Sequence, residues 1–271
     1  MVKNAENVTG GKPVRRKVTW AYMVTFILAT AIAYVLAVLS SLIFPVLGAP
    51  GVSALYVATA VYVPLGIWMG GWGALAGYLS CFFLGLYPSG YTLIQSAVWS
   101  FADLIEAFIP GLLFRLLKVD PDFTVKRGSA ARLFPLFVSL GSIILIISIV
   151  IQVLWGSLGE PFTSIYVGSV YSGLTLAAIG ILLGLLVGDA KTWGVYIASI
   201  LLTSVASGVW GAATLTLYNF PPPLPAEAFW PIFTGWVIGD LIVLSVLSTA
   251  ILTALTPVFK RTGLYVEGWW A

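Results

Sequence analysis

The placement of the basic residues limits this chain more than any other feature. The 13 Lys and Arg form four groups: Lys3, Lys12, Arg15, Arg16 and Lys17; Arg115, Lys118, Lys126, Arg127 and Arg132; Lys191; and Lys260 with Arg261. Eight apolar segments can be drawn around them, at about 18–46, 52–69, 72–88, 91–115, 132–158, 162–188, 192–218 and 230–259. Most reach the roughly 20 residues that a membrane-crossing helix needs, and the second and third stand at the short limit. With the N-terminus inside, every basic residue falls on the inner side, while the outer loops hold Glu160 and Glu227 and no Lys or Arg. That is the bias expected of cytoplasmic loops, and one helix more or fewer would break it. The sequence therefore predicts an all-α, polytopic protein of the cell membrane, with about eight transmembrane helices and both termini cytoplasmic. The lipid bilayer is its first partner.

Composition agrees with this reading. The chain is 60% apolar and 8% charged, with a mean hydropathy of +1.03, too little polar surface for a soluble fold of this length. The net charge of +3 follows from the loop bias and implies no nucleic-acid partner. Histidine is absent, which excludes imidazole metal sites and histidine-based acid–base catalysis. Cys81 is the single cysteine, so no internal disulfide forms. The apolar run after the basic tail is too long for a signal-peptide core and reads as a retained first helix. Trp20, Trp68, Trp72, Trp155, Trp193 and Trp230 fall near the predicted interfaces, where indoles are enriched.

The segments also repeat. Trp99-x-x-x-Asp103-Leu104-Ile105 recurs as Trp236-x-x-x-Asp240-Leu241-Ile242, and Trp72-Gly73 recurs as Trp193-Gly194. Four spans is an even number, so two parallel four-helix repeats are expected, related by an axis along the membrane normal. The predicted layout is a basic tail 1–17, a first repeat 18–118, a cytoplasmic loop 119–131, a second repeat 132–260 and a short tail 261–271.

Charge inside the predicted spans marks the candidate site. At about 1.5 Å per helical residue, Asp103 lies roughly 18 Å from Arg115 and roughly 20 Å from Gly90. In a hydrocarbon core about 30 Å thick, that is near the midplane. An ionisable residue there is a functional candidate by default. Gln95, Trp99, Asp103 and Glu106 share one helix face, and Trp236 with Asp240 supplies the matching pair, Val243 replacing the second acid. No Lys or Arg lies within the apolar cores to pair with these acids. Either they carry their own protons, hydrogen-bonding between helices, or they bind a cation, a proton in transit or an amine-bearing solute. No nucleophile motif or metal set accompanies them, so no enzyme activity and no cofactor are implied.

Small-residue ridges complete the motifs: Ala29, Ala33 and Ala37; Gly73 and Gly77; Gly180, Gly184 and Gly188. Such ridges let helices approach closely, and the alanine ridge is also a candidate docking face for a separate membrane subunit. Asn7-Val8-Thr9 fits a glycosylation acceptor but sits on the inner side.

Pro50-Gly51, Trp72-Gly73, Asp103-Leu104-Ile105-Glu106-Ala107 and Trp236-x-x-Gly239-Asp240 resemble the pattern of MASE-type membrane-associated sensor domains. That resemblance implies eight spans with both ends inside and a signalling partner. The alanine ridge is similar to that of the substrate-capture components of energy-coupling-factor vitamin transporters, which implies a membrane coupling subunit, although those proteins have six spans. The short tail after Arg261 carries no signalling domain, so a transport or substrate-capture subunit that recognises a small solute or cation is the expected function. A stand-alone sensor working through a partner protein and a structural subunit of a membrane complex are the alternatives.

Overall fold

Proline and glycine set the ends of the helices. The computed structural model describes residues 20–45, 52–123, 130–155, 159, 162–218 and 224–270. The tail 1–17 with Asn7, the Pro50-Gly51 pair, Lys126, Arg127, Glu160 and the Pro221-Pro222-Pro223 run lie outside the described residues. Helix α1 (Trp20–Ile43) stops just before Pro45, whose ring has no N–H to donate. Helices α2 (Thr59–Met69) and α3 (Gly71–Leu86) meet at Gly70, which has a φ of 61°, a left-handed value that glycine adopts freely. Helices α4 (Leu93–Trp99) and α5 (Phe101–Leu116) follow each other across Ser100. Then come α6 (Ala130–Trp155), α7 (Phe162–Val187) and α8 (Ala190–Leu217). The last membrane-length stretch contains α9 (Phe229–Val243), a π turn over Leu244–Ser248 and α10 (Thr249–Arg261).

The fold is all-helical among the described residues, apart from one isolated bridge between Pro45 and Ser53. Six stretches are long and apolar enough to cross a membrane: Trp20–Ile43, Leu93–Leu116, Leu133–Gln152, Thr163–Val187, Ala190–Leu217 and Ala226–Arg261. Helices α2 and α3, at 11 and 16 residues, are shorter.

The second apolar segment departs from a simple span. A helix was expected from residue 52, but Val52–Ala58 is irregular and α2 begins only at Thr59. Serine hydroxyls supply the reason. Val57 N–H donates to Ser40 Oγ at 3.0 Å, Leu55 N–H donates to Ser53 Oγ at 3.2 Å, and Ser53 Oγ donates to Ser40 O at 2.9 Å. Such side-chain bonds take backbone groups that a helix would otherwise pair. Irregular backbone is tolerated at membrane depth only when protein encloses it or it lines a cavity.

Helix α2 is central, with every residue except Val61 buried. It packs against α3 and α5, and α5 packs in turn against α8, which pairs with α9. The crossing of α2 and α5 is close enough that a Cβ on Gly66 would lie 2.1 Å from the carbonyl oxygen of Ala107. Only a residue without a side chain fits there.

The alanine ridge is placed inward. Ala29, Ala33 and Ala37 are buried while α1 packs on α3, so the ridge serves an internal contact instead of a docking face. The outward face of α1 carries Ile27, Leu28, Ile32, Val35 and Leu42. Gly180 and Gly184 likewise meet Val138, Phe134 and Trp193 within the chain. Trp68 and Trp193 are core residues, whereas Trp20 and Trp230 are exposed. The two halves also pair their helices differently: α1 lies mainly on α3, while α6 and α7 pack along each other.

The C-terminal residues fold back over the ends of α2, α3 and α5. The Arg115 guanidinium donates to the carbonyls of Gly66, Gly111, Val266 and Gly268 at 2.7 to 3.0 Å. It also stands 5.3 Å from the Trp269 ring centre, within cation–π range.

Candidate functional site

The three acids predicted inside the membrane are all buried: Asp103 is 1% exposed, Glu106 0% and Asp240 1%. Their spacing on α5 turns Asp103 and Glu106 to the interior, and α9 brings Asp240 in from the far end of the sequence.

The acids differ in what surrounds them. Glu106 is tied on both oxygens: the Tyr62 hydroxyl donates to Oε2, and the Trp236 indole N–H donates to Oε1 at 3.0 Å. The Thr203 hydroxyl donates to the Glu106 backbone carbonyl at 2.9 Å. This one residue therefore links α2, α5, α8 and α9. Asp240 accepts a long hydrogen bond, 3.4 Å, from Ser207. Asp103 Oδ2 is buried and has no partner from the chain.

That orphaned oxygen belongs to the wall of a small cavity. The lining is Val52, Ser53 and Tyr56 from the irregular segment, Cys81 from α3, Trp99 and Asp103 from the α4–α5 stretch, and Trp236, Gly239 and Asp240 from α9. Its volume is about 10 Å³. That holds about one water molecule. Gly239 makes the roof possible, since a Cβ there would lie 2.2 Å from Ala54 O. The Tyr56 hydroxyl and the Trp99 indole N–H, both on lining residues, are also buried without a partner from the chain.

Of the expected site residues, Trp99, Asp103, Trp236 and Asp240 meet at the cavity, and Glu106 sits beside it. Gln95 does not. It is half-exposed, and its Oε1 accepts from Thr92 N–H at 3.0 Å, closing a capping box at the start of α4. The spacing Thr92-x-x-Gln95 is itself a readable cap signature. Tyr56, Tyr62, Cys81 and Ser207 were missed. Hydroxyls and a thiol inside apolar runs have no spacing signal of their own. Gly239 was visible only beside Asp240.

No group of three His, Cys, Asp or Glu side chains among the described residues has the arrangement to hold a metal ion. What the site offers chemically is one buried carboxyl oxygen, Asp103 Oδ2, with no hydrogen bond from the chain. No protein-family model, no curated protein and no solved structure matches the chain.

Proposed function

We propose that the chain is a multi-pass membrane protein that takes up a proton or a small monovalent cation at Asp103 and Asp240, as part of a transport or substrate-capture subunit. The observation that carries this reading is the unpartnered Asp103 oxygen, buried in a water-sized cavity that Asp240 also lines. A buried carboxylate without a partner is costly, and a positive ligand offsets that cost. The small cavity favours an ion over a larger organic solute.

The same proposal includes eight membrane segments with both ends inside, α2 and α3 being the short pair. Irregular backbone beside a half-length helix at the site suits transport proteins, whose ion sites form at interrupted helices. The meeting of Asp103 and Asp240 at one cavity supports a tandem relation between the acid-bearing helices, although the α6–α7 pairing departs from it. Glu106, with both oxygens engaged, favours a second reading in which the acids hold a structural subunit together.

Thermal unfolding of purified protein across a series of pH values and of lithium, sodium and potassium separates these readings. A ligand at about 100 times its dissociation constant stabilises the native state by about 2.7 kcal/mol. Wild type should show such a shift and Asp103→Asn should lose it. Equal shifts in both proteins would remove Asp103 from the site.

A further inference from the structure

Which positive species the site exchanges can be argued from the atoms around the cavity, taking the role of Asp103 and Asp240 proposed above as the starting point. We infer that the cavity holds one bridging water molecule, and that the exchanged species is a proton passed between Asp240 and Asp103 through that water.

Three buried groups of the lining have no partner from the chain: Asp103 Oδ2, the Tyr56 hydroxyl and the Trp99 indole N–H. Their chemistry is unequal. A carboxylate oxygen only accepts, an indole N–H only donates, and a phenol does either. A water molecule answers all of them. It accepts from Trp99 and Tyr56 and donates to Asp103 and Asp240, close to the three bonds that a buried water usually makes. The cavity volume, about 10 Å³, matches one such molecule.

A bare metal cation fits this lining poorly. It needs a shell of oxygens to replace its lost water, because an uncompensated charge in an apolar interior is strongly disfavoured. Four lining side chains carry oxygens: Ser53, Tyr56, Asp103 and Asp240. Ser53 Oγ is already engaged with Ser40 O, Leu55 O and Leu55 N–H. The Trp99 N–H presents a hydrogen, which repels a cation.

The transfer balances. Asp240 gives its proton to the water as the water gives one of its own to Asp103. One O–H bond breaks and one forms at each end, the water is regenerated, and the negative charge moves from Asp103 to Asp240. Tyr56 and Trp99 hold the water in line and are positioning residues.

Infrared spectroscopy of the whole protein in lipid nanodiscs tests the inference, because a protonated carboxyl has its own carbonyl stretching band, shifted by deuterium. Spectra are compared along an acid-to-neutral pH series in sodium chloride and in choline chloride. The expected result is a carboxyl band that titrates identically in the two salts and is lost in Asp103→Asn. Tyr56→Phe and Trp99→Phe should keep the band and displace its midpoint, which holds the test open if the aspartate variant fails to fold. A midpoint that moves with sodium at fixed pH would overturn the proton assignment and leave a cation site in place. A midpoint untouched by both Tyr56→Phe and Trp99→Phe would overturn the bridging water. A spectrum that responds to neither pH nor salt would overturn the underlying site reading as well.

Discussion

The indole N–H of Trp236 on α9 donates to Oε1 of Glu106 on α5 at 3.0 Å, joining residues 130 positions apart in the sequence. The other carboxyl oxygen of Glu106 takes the Tyr62 hydroxyl from α2. The acid that shares a helix face with Asp103 in the sequence is thus already occupied.

This gives the first prediction. In Glu106→Gln one oxygen remains for two donors. Trp236 can only donate and must take it, so the Tyr62 hydroxyl reverses and leaves its own hydrogen unpaired. A buried donor without a partner costs about 1–3 kcal/mol. Trp236→Phe leaves Glu106 Oε1 without its donor and removes part of a buried ring, so it should cost at least as much, about 1–3 kcal/mol. Both are read from reversible unfolding in detergent. Unchanged stability in Glu106→Gln would show that this network does not hold the helices.

Gly239→Ala tests the roof of the cavity. The new methyl would stand 2.2 Å from Ala54 O, which is backbone and cannot swing aside as a side-chain tip would. Overpacking of this kind costs about 1–3 kcal/mol and displaces the neighbouring segment. Cys81, buried and part of the cavity wall, is a native reporter. Its reaction with a small thiol reagent should speed up in Gly239→Ala, and an unchanged rate would mean that the irregular segment does not shield the cavity.

Orientation is tested by labelling. Cysteines placed at Asp122 and Lys191 should react with a membrane-impermeant reagent only from the inner side, and cysteines near Ser157 and Pro222 only from outside. Outward reaction at Asp122 would refute the proposed eight-segment topology.

A fourth prediction concerns the start of α8, outside the apolar stretches. Thr192 N–H and the Thr192 hydroxyl donate to Asp189 Oδ2 at 2.8 and 2.9 Å. These bonds, the backbone one foremost, hold the Asp189 carboxyl below its ordinary range. A depressed native value means that its stabilising effect is complete above the unfolded value and fades as pH falls through the native one. Asp189→Ala should therefore lower the unfolding temperature in neutral buffer, with the gap to wild type closing only in strong acid. A gap that is the same at every pH would mean that the charged cap contributes nothing.

Helices were legible in the sequence because apolar length and turn residues act locally. The run ending near Pro45 appears as α1, and the run ending at Arg115 appears as α4 and α5 together, close to where they were drawn. Convergence of Asp103 and Asp240 was legible too, because a shared motif with a buried charge has few places to go. Val52–Ala58 was not legible, since its backbone is diverted by Ser40, a hydroxyl on the preceding helix. Gln95 was misplaced for the opposite reason: its i, i+4 relation to Trp99 was read as a stripe, while a cap three residues back claimed the side chain. The division of labour between Glu106 and Asp103 depends on Tyr62, which sits in a uniformly apolar helix and carries no pattern.

The serine-held segment has a consequence for motion. Amides inside α2 and α5 exchange with solvent only when a helix unwinds, whereas those of Leu55 and Val57 are held by single hydroxyls. Breaking two side-chain bonds is a far smaller opening than unravelling a helix, so these amides should exchange early, through local fluctuation. The acids inside are thus enclosed unevenly: α2, α5 and α9 hold the carboxyls in place, while Val52–Ala58 is the part of the wall that opens at least cost.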